Sequence, residues 1–213
     1  MRIHLIRHGQ TDWNREKRVQ GHSESLLTPL GQEQARLLAP VLKPYDIRRV
    51  YCSSSQRTRQ TAELLFAGEP VETSFHDELR EIFLGPWEGH LQSDIRERYP
   101  ESFEHFWQRP EAFRQEGAEH FEQTQARGLA MLKRILSQQA AEDVAIVSHG
   151  VLIKSVLCAL EDRPLARLWE PPVMHNCAHS IVVADPEHGR MRIEQFAGTP
   201  WPAGSAATIE QQQ

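Results

Sequence analysis

The sequence has few cysteines, no long apolar run and no large excess of charge of one sign. Its 213 residues include Cys52, Cys158 and Cys177, an odd number without C-x-x-C spacing. This predicts free thiols in a reducing compartment rather than a disulfide framework. No stretch approaches the roughly 20 apolar residues of a membrane span, and the N-terminus lacks the apolar core of a signal peptide. We therefore expect a cytoplasmic protein that does not bind membranes.

The charge balance argues against nucleic acid as a partner. The net charge is −5, with 25% charged and 39% hydrophobic residues, which is typical of a globular protein. Such a balance still allows a local basic pocket. The length suits one domain, for which we expect residues 1–200, followed by a flexible tail at 201–213 that ends in "PAGSAATIEQQQ". The sequence does not indicate the oligomeric state.

Hydrophobic patterns predict alternating strands and helices. Apolar runs and a turn-flanked pair of β-rich segments predict strands at Arg2–Ile6, Arg49–Cys52, Val144–Ser148, Ser180–Ala184 and Arg192–Phe196. Capping residues and helical periodicity predict helices after Thr28-Pro29 and at Ser55–Phe66, Glu119–Gln139 and Gly150–Leu160. Residues 83–118 are rich in aromatics, charges and prolines without a strand pattern, so we expect a small helical cap there. The fold class is α/β: a three-layer α/β/α sandwich with a mostly parallel central sheet and an antiparallel edge hairpin.

Polar residues follow three of the predicted strands directly. They are Arg7-His8-Gly9, Ser53-Ser54-Ser55 and Ser148-His149-Gly150. If these strands are parallel, their carboxyl ends share one rim, which is where ligands bind in open parallel sheets. Arg57 lies close by, in the first turn of a predicted helix. A guanidinium fork and a helix N-terminus both suit phosphate oxygens, so the rim has the composition of a phosphate site.

Four short motifs carry a family resemblance. They are "LIRHGQTDWN", "SSSQRTRQTA", "LREIFLGPWEG" and "SHG", in this order along the chain. Together they resemble the signature of the histidine phosphatase superfamily, the phosphoglycerate-mutase-like proteins, over Ile3 to about Gly198. R-H-G alone is weak evidence, whereas the four motifs together are specific.

The resemblance implies a covalent route with His8 as nucleophile and Glu81 as proton donor and acceptor. It also implies that Arg7, Arg57 and His149 clamp the phosphoryl oxygens. Further substrate-binding residues are expected at Asn14, Gln20, Gly21 and Gly150.

The residue types support these roles independently of the resemblance. Neutral imidazole is a competent nucleophile, and Gly9 would let the phosphate approach closely. A carboxylic acid that holds its proton needs partial desolvation, which Ile82, Phe83 and Leu84 could supply to Glu81. No cofactor or metal ion is required, because the arginines and histidines can stabilise the charge.

Other residues near these motifs have plainer interpretations. "HNCAH", residues 175–179, contains potential zinc ligands but lacks a fourth one, and its side chains should alternate across a strand, so we expect no metal site. Trp107 could border the pocket, whereas packing is the better interpretation for Trp13 and Trp87. His22 and His120 stand where the resembled family carries other residues, and they leave the substrate assignment open.

Three functions fit the motifs. The first is hydrolysis of small phosphate monoesters, the second is phosphoglycerate mutation through the same phosphohistidine, and the third is non-catalytic binding of a phospho-ligand. A binding module needs neither His8 nor Glu81 as reactants. The stretch "LREIFLGPWEG" resembles the phosphatase branch, and a short cap suits the entry of water. We therefore predict a phosphatase, without identifying its physiological substrate.

Overall fold

The structure is a computed structural model that describes residues 1–138, 142–185, 187–201 and 206–208. Its strands are β1 (Arg2–Arg7), β2 (Arg49–Ser53), β3 (Glu72–His76), β4 (Val144–Ser148), β5 (His179–Asp185), β6 (Arg190–Phe196), β7 (Thr199–Pro200) and β8 (Ala206–Thr208). Its α-helices are α1 (Asp12–Glu16), α2 (Pro29–Leu42), α3 (Gln56–Leu65), α4 (Gln92–Arg98), α5 (Pro100–Gln108), α6 (Phe121–Gln138) and α7 (Gly150–Leu160). Short 3₁₀ turns lie at Asp77–Leu79, Gly85–Trp87, Pro110–Ala112 and Leu165–Arg167.

One mixed sheet forms the centre, in the order β3-β2-β4-β1-β5-β6-β7, with β8 also paired to β6. The four strands from β3 to β1 are parallel, whereas β5 is antiparallel to both β1 and β6. This confirms the predicted α/β class with a parallel centre and an antiparallel hairpin. Strand β3 was not predicted, because its sequence, Glu72–His76, is polar and mostly exposed at the sheet edge and offers no apolar run.

The central strands are covered on both faces, which explains their continuous apolar sequences. Ile3 and Leu5 of β1 point into a hydrophobic cluster with α6 and α7, whereas Ile6 points into a second cluster with α2 and α3. Successive side chains of a strand face opposite sides, so a strand between two helical layers needs apolar residues at every position. The three-layer sandwich follows from this pattern.

The helices follow their sequence signals closely. Thr28 caps α2 through its hydroxyl, which accepts a hydrogen bond from Gly31 N at 3.0 Å, and Pro29 is the first helical residue. The range predicted for α7, Gly150–Leu160, is the observed one. Helix α6 begins at Phe121 rather than at Glu119; the backbone N–H of Glu119 donates to Phe83 O at 2.7 Å.

The cap contains α4, α5 and two 3₁₀ turns, and no strand among its residues 83–118. Its interior is aromatic: Trp87, Phe106 and Phe113 pack together with ring centroids 5.3 to 5.8 Å apart. These rings share one hydrophobic cluster with Phe121 of α6 and Val151 of α7. The cap is thereby fixed beside the helix that starts at the end of β4.

The end of the chain differs from the expected loose tail at the residues that are described. Trp201 packs on Phe196 and donates its backbone N–H to Glu194 at 2.9 Å. Ala206–Thr208 pairs with β6, whose edge would otherwise be open. The rest of the predicted tail, 202–205 and 209–213, lies outside the described residues. Within the described ranges, none of the helices has both the length and the apolar character needed to cross a membrane.

Candidate active site

The three polar strand ends meet at one rim of the sheet, as their positions predicted. β4 lies between β1 and β2, and Arg7 is in register with Ser148. His8 N donates to Ser148 O at 3.0 Å, which extends the ladder one residue beyond β1. The parallel sheet therefore places His8 and His149 side by side although they are far apart in the chain.

The two imidazoles are buried and lie against each other. Their ring centroids are 5.3 Å apart, with an angle of 63° between the planes, and the side chains are almost inaccessible to solvent. Nδ1 of His8 lies 2.7 Å from Gly9 O. Because a carbonyl can only accept, Nδ1 carries the proton, and the lone pair of the neutral ring is on Nε2. His8 thus has the tautomer that a nucleophile at Nε2 requires.

Burial keeps both imidazoles neutral. It lowers the pKa of His8 well below 6.5, and the positive charges of Arg57 and Arg7 lower it further. The pKa of His149 is also well below 6.5, first because of burial and then because of Arg57. A protonated imidazole has no lone pair at Nε2 for attack, so this environment favours the reactive form.

Gly9 is also required by the packing of the chain. A Cβ at this position would lie 2.4 Å from Gly31 O, at the start of α2. Gly9 N donates to Thr61 Oγ1 at 3.1 Å. The glycine therefore allows α2 to approach the end of β1.

Arg57 is anchored by the loop that precedes α2. The side chain is inaccessible to solvent, and it donates from Nη1 to Ser23 O at 2.9 Å and from Nη2 to Gly21 O at 2.7 Å. Burial lowers its pKa to about 10, so the guanidinium stays charged at neutral pH. Its buried Nε has no hydrogen-bond partner.

The guanidinium of Arg7, at the end of β1, is anchored in a similar way. Its Nη1 donates to Met174 O at 2.5 Å, and its buried Nε has no partner. A Cβ on Gly150 would lie 3.3 Å from that Nε, so the start of α7 packs directly on the guanidinium. Burial lowers the pKa of Arg7, and the Glu81 carboxylate partly offsets this.

Buried donors without a partner are uncommon in folded proteins. Beside the Nε atoms of Arg7 and Arg57, a third buried nitrogen without a hydrogen-bond partner is Nδ1 of His149. The other ring nitrogen of His149, Nε2, lies 2.8 Å from Ser53 Oγ. We assign the Ser53 hydroxyl proton to the 2.8 Å contact with His149 rather than to the 3.5 Å contact with Ser55 Oγ, and this assignment leaves the proton of His149 on Nδ1. Unpaired donors of Arg7, Arg57 and His149 thus belong to side chains next to the neutral His8.

The Glu81 carboxylate lies at the N-terminus of α7. Oε1 accepts from Ile82 N at 3.0 Å and Leu152 N at 3.1 Å, and Oε2 accepts from Val151 N at 3.1 Å. This helix end also carries His149 and Gly150. Ile82 and Leu84 are buried, but Phe83 is 39% exposed and does not shield the carboxylate as expected.

Asn14 and Gln20 line a cavity that is also lined by Arg7, Glu81 and Gly150. Asn14 Oδ1 accepts from Thr11 N and from Asn176 Nδ2. Gln20 Oε1 accepts from the hydroxyls of Thr11 and Ser25. Since both oxygens are occupied, both amide NH₂ groups remain as donors.

Gly21 also lines the cavity, and it has a positive φ of 53°. A Cβ at Gly21 would lie 2.0 Å from Glu88 Oε1. The predicted substrate-binding residues Asn14, Gln20, Gly21 and Gly150 are therefore brought together with Arg7 and Glu81 around one space.

Glu88 is a supporting residue that the sequence interpretation missed. Its carboxylate accepts from His22 N, Ser23 N and Leu84 N at 2.8 to 3.0 Å, and from the Ser23 hydroxyl at 2.7 Å. It thereby shapes the loop whose carbonyls anchor Arg57. The sequence feature that could have identified it is its position between Trp87 and Gly89 in the motif "LREIFLGPWEG".

His22 and His120, whose roles the sequence left open, have different surroundings in the structure. His22 Nε2 lies 2.9 Å from Glu81 O, and because this carbonyl accepts, the ring supports the backbone of Glu81. His120 contacts the start of α6 through its carbonyl, which accepts from Gln123 N and Thr124 N, and it does not line the main cavity.

The "HNCAH" segment serves other contacts. Asn176 Nδ2 lies 3.3 Å from His8 O, and His179 pairs with His4 at 2.9 Å. No group of three or more metal-ligating side chains occurs in the part of the chain that the structure describes.

The comparisons with known proteins agree with this geometry. The family model for the histidine phosphatase superfamily (branch 1) matches residues 3–197. Phosphoserine phosphatase 1 of Hydrogenobacter thermophilus is 30% identical over 182 residues, 85% of this chain and 86% of that protein. A probable phosphoglycerate mutase of Salmonella choleraesuis, GpmB, is 28% identical over 77% of this chain and 76% of its own. The solved structure of Bacillus stearothermophilus YhfR has a TM-score of 0.90 at 36% identity, covering 93% of this chain and 96% of that one.

The chain belongs to the histidine phosphatase superfamily. It is an enzyme of the phosphoric monoester hydrolase class.

Proposed function

We propose that the protein hydrolyses small phosphate monoesters through a phosphohistidine on His8. Nε2 attacks phosphorus, the ester P–O bond breaks, and Glu81 donates a proton to the leaving oxygen. Glu81 then takes a proton from water, whose oxygen attacks phosphorus while the P–N bond breaks. His8 returns to its neutral form, and inorganic phosphate leaves with the proton balance restored.

The observation that carries this proposal is the set of buried donors without partners around a neutral imidazole. Arg7 Nε, Arg57 Nε and His149 Nδ1 have no acceptor of their own, whereas a phosphoryl group brings several. Donors that are already in place before the reaction stabilise the charge that develops in the transition state. A binding module would not need the reactive tautomer of His8 in addition.

A panel of phosphate monoesters together with 3-phosphoglycerate tests the reaction type. We expect inorganic phosphate to be released from several esters and no conversion of 3-phosphoglycerate to its isomer. Isomerisation without phosphate release would replace hydrolysis by the mutase reaction. Tight binding of the esters without turnover would instead favour a non-catalytic phospho-ligand binder.

The thiols support a cytoplasmic location. Cys52, Cys158 and Cys177 are all free, and burial raises the pKa of Cys52 and of Cys177 to about 12. Such thiols are stable without a disulfide framework, as is usual in a reducing compartment. We infer the cytoplasm from this, and we expect a small phosphate monoester, not a nucleic acid or a membrane, as the partner.

A further inference from the structure

The cavity extends well beyond the phosphate end. Its volume is about 490 Å³, far more than a phosphate group fills. Past Arg7, Glu81 and Gly150 the walls come mainly from apolar side chains of the cap and of residues 169–174. An ester whose phosphate lies beside Arg7 and Glu81 would place its organic group in this part of the cavity.

The most prominent wall is aromatic and held in place. Trp107 and Trp169 lie with ring centroids 4.8 Å apart, and Phe106 lies 5.6 Å from Trp169. Trp169 Nε1 donates to Phe106 O at 2.6 Å, which fixes the indole. Trp107 is 40% exposed, so part of its ring is available to cover a ligand. Rigid aromatic side chains supply large apolar contact area with little loss of conformational entropy.

The two cations in this part of the cavity are already engaged. Lys154 is buried, and its Nζ donates to Glu170 O at 2.8 Å and Pro172 O at 3.1 Å. Arg18 Nε donates to Glu16 Oε2 at 3.2 Å, and its Nη1 donates to Gly89 O. Gln92 adds a further polar side chain to this wall.

We propose that the preferred substrates are monoesters of apolar, ring-containing alcohols with at most one further polar group. This inference rests on the proposed phosphatase function. An ester with an ammonium group, such as phosphoserine, meets no carboxylate among the described residues that line the cavity past Glu81. Polyol phosphates would leave several hydroxyls facing apolar walls, which costs binding free energy.

The test compares propyl phosphate, 3-phenylpropyl phosphate and glycerol 3-phosphate, which are all primary alkyl esters. Burying one phenyl ring should raise kcat/KM for the phenylpropyl ester about ten- to hundredfold over propyl phosphate. Glycerol 3-phosphate should be no better than propyl phosphate. If the phenylpropyl ester has no advantage, or glycerol 3-phosphate is preferred, the inference is wrong while hydrolysis stands. If none of the three is hydrolysed, the proposed function fails with it.

Two tryptophan variants locate the effect. Trp107→Ala should reduce the preference for phenylpropyl over propyl phosphate at least threefold, because the indole that covers the ring is lost. Trp201→Ala is the matched control, since this indole packs on Phe196 and lies outside the cavity. Thermal unfolding of both variants shows whether they are folded. An unchanged preference in folded Trp107→Ala would place the ring elsewhere and overturn the assignment.

Discussion

At the scale of single residues, the site depends on the protonation state of His8. Its Nδ1 is committed to Gly9 O, and burial, followed by Arg57 and Arg7, lowers its pKa well below 6.5. The ring therefore stays neutral at a pH where a histidine in water is half protonated. Attack by Nε2 should persist in mildly acidic solution.

Glu81 can be tested through the leaving group. In Glu81→Gln, single-turnover release of an alkyl alcohol should slow about 10²- to 10⁴-fold, because an alkoxide needs the proton. Release of 4-nitrophenolate should slow far less, since this anion leaves without protonation. Glu78→Gln, which alters the surface pair with Arg134, is the control. Equal slowing of both esters in Glu81→Gln would contradict the role of the acid.

Much of the site could be predicted residue by residue, because the reactive groups stand in short motifs at strand ends. The motifs do not show which polar atoms have hydrogen-bond partners within the chain. The Glu88 contacts to His22 N and Ser23 N depend on a loop that is distant in sequence. The clash that makes Gly9 necessary likewise depends on how closely α2 approaches β1.

At the scale of elements, α6 positions the segment that carries Glu81. Arg127 donates from Nη1 to Glu78 O and Arg80 O at 2.8 Å, and from Nη2 to Glu81 O at 3.3 Å. It is paired with Glu119 at 2.8 Å, and both side chains are mostly buried. One guanidinium therefore holds three backbone carbonyls within residues 78–81, next to the α7 N-terminus.

Replacing this guanidinium should weaken catalysis more than binding. We expect Arg127→Met to lower kcat for alkyl esters about tenfold or more with little change in KM, because small displacements of catalytic groups are costly. Arg134→Met is a control on the same helix, since Arg134 pairs with Glu78 at the surface. Steady-state kinetics gives kcat and KM for both variants. A similar decrease in kcat in Arg134→Met would contradict the positioning role of Arg127.

Elements were predictable where one periodicity dominates the sequence. β1, β4 and α7 are apolar over most of their length because most of their residues are buried. β3 has a polar sequence and exists because β2 offers a parallel edge, and Ala206–Thr208 pairs with β6 in the same way. Such strands are specified by their neighbours, which a local pattern does not reveal.

At the scale of the whole molecule, two further histidines link stability to pH. His4 of β1 and His179 of β5 are buried, with Nδ1 of His4 2.9 Å from Nε2 of His179. Burial lowers the pKa of each to about 4 from 6.5, helped by Arg2 for His4 and by His4 for His179. The neutral forms are thus the ones that the fold accommodates.

The unfolded chain binds these protons below pH 6.5, and the folded chain binds them only near pH 4. The free energy of unfolding should therefore fall as the pH decreases through this window, by about 1.4 kcal/mol for each unit of pKa lowering. His8 and His149 contribute in the same direction. Denaturant unfolding at several pH values measures the slope. His4→Gln should have a shallower slope, and a slope unchanged from the wild type would contradict this linkage.

The layered architecture followed from the alternation of strands and helices, whereas the substrate cavity did not. One wall of the cavity brings Trp107 of the cap next to Trp169, which follows α7 in the sequence. The motif interpretation proposed Trp107 for the pocket and did not identify Trp169. Only the packing of the cap against α7 brings the two rings together.

The most direct test of the account is to trap the phosphorylated enzyme. After mixing with a monoester labelled in its phosphoryl group and rapid denaturation, we expect label that is labile in acid, stable in base and located on the peptide that contains His8. His8→Ala should carry no label and should lose at least a thousandfold in turnover while remaining folded. Phosphate release by the wild type without such label, or label on another residue, would contradict the covalent route.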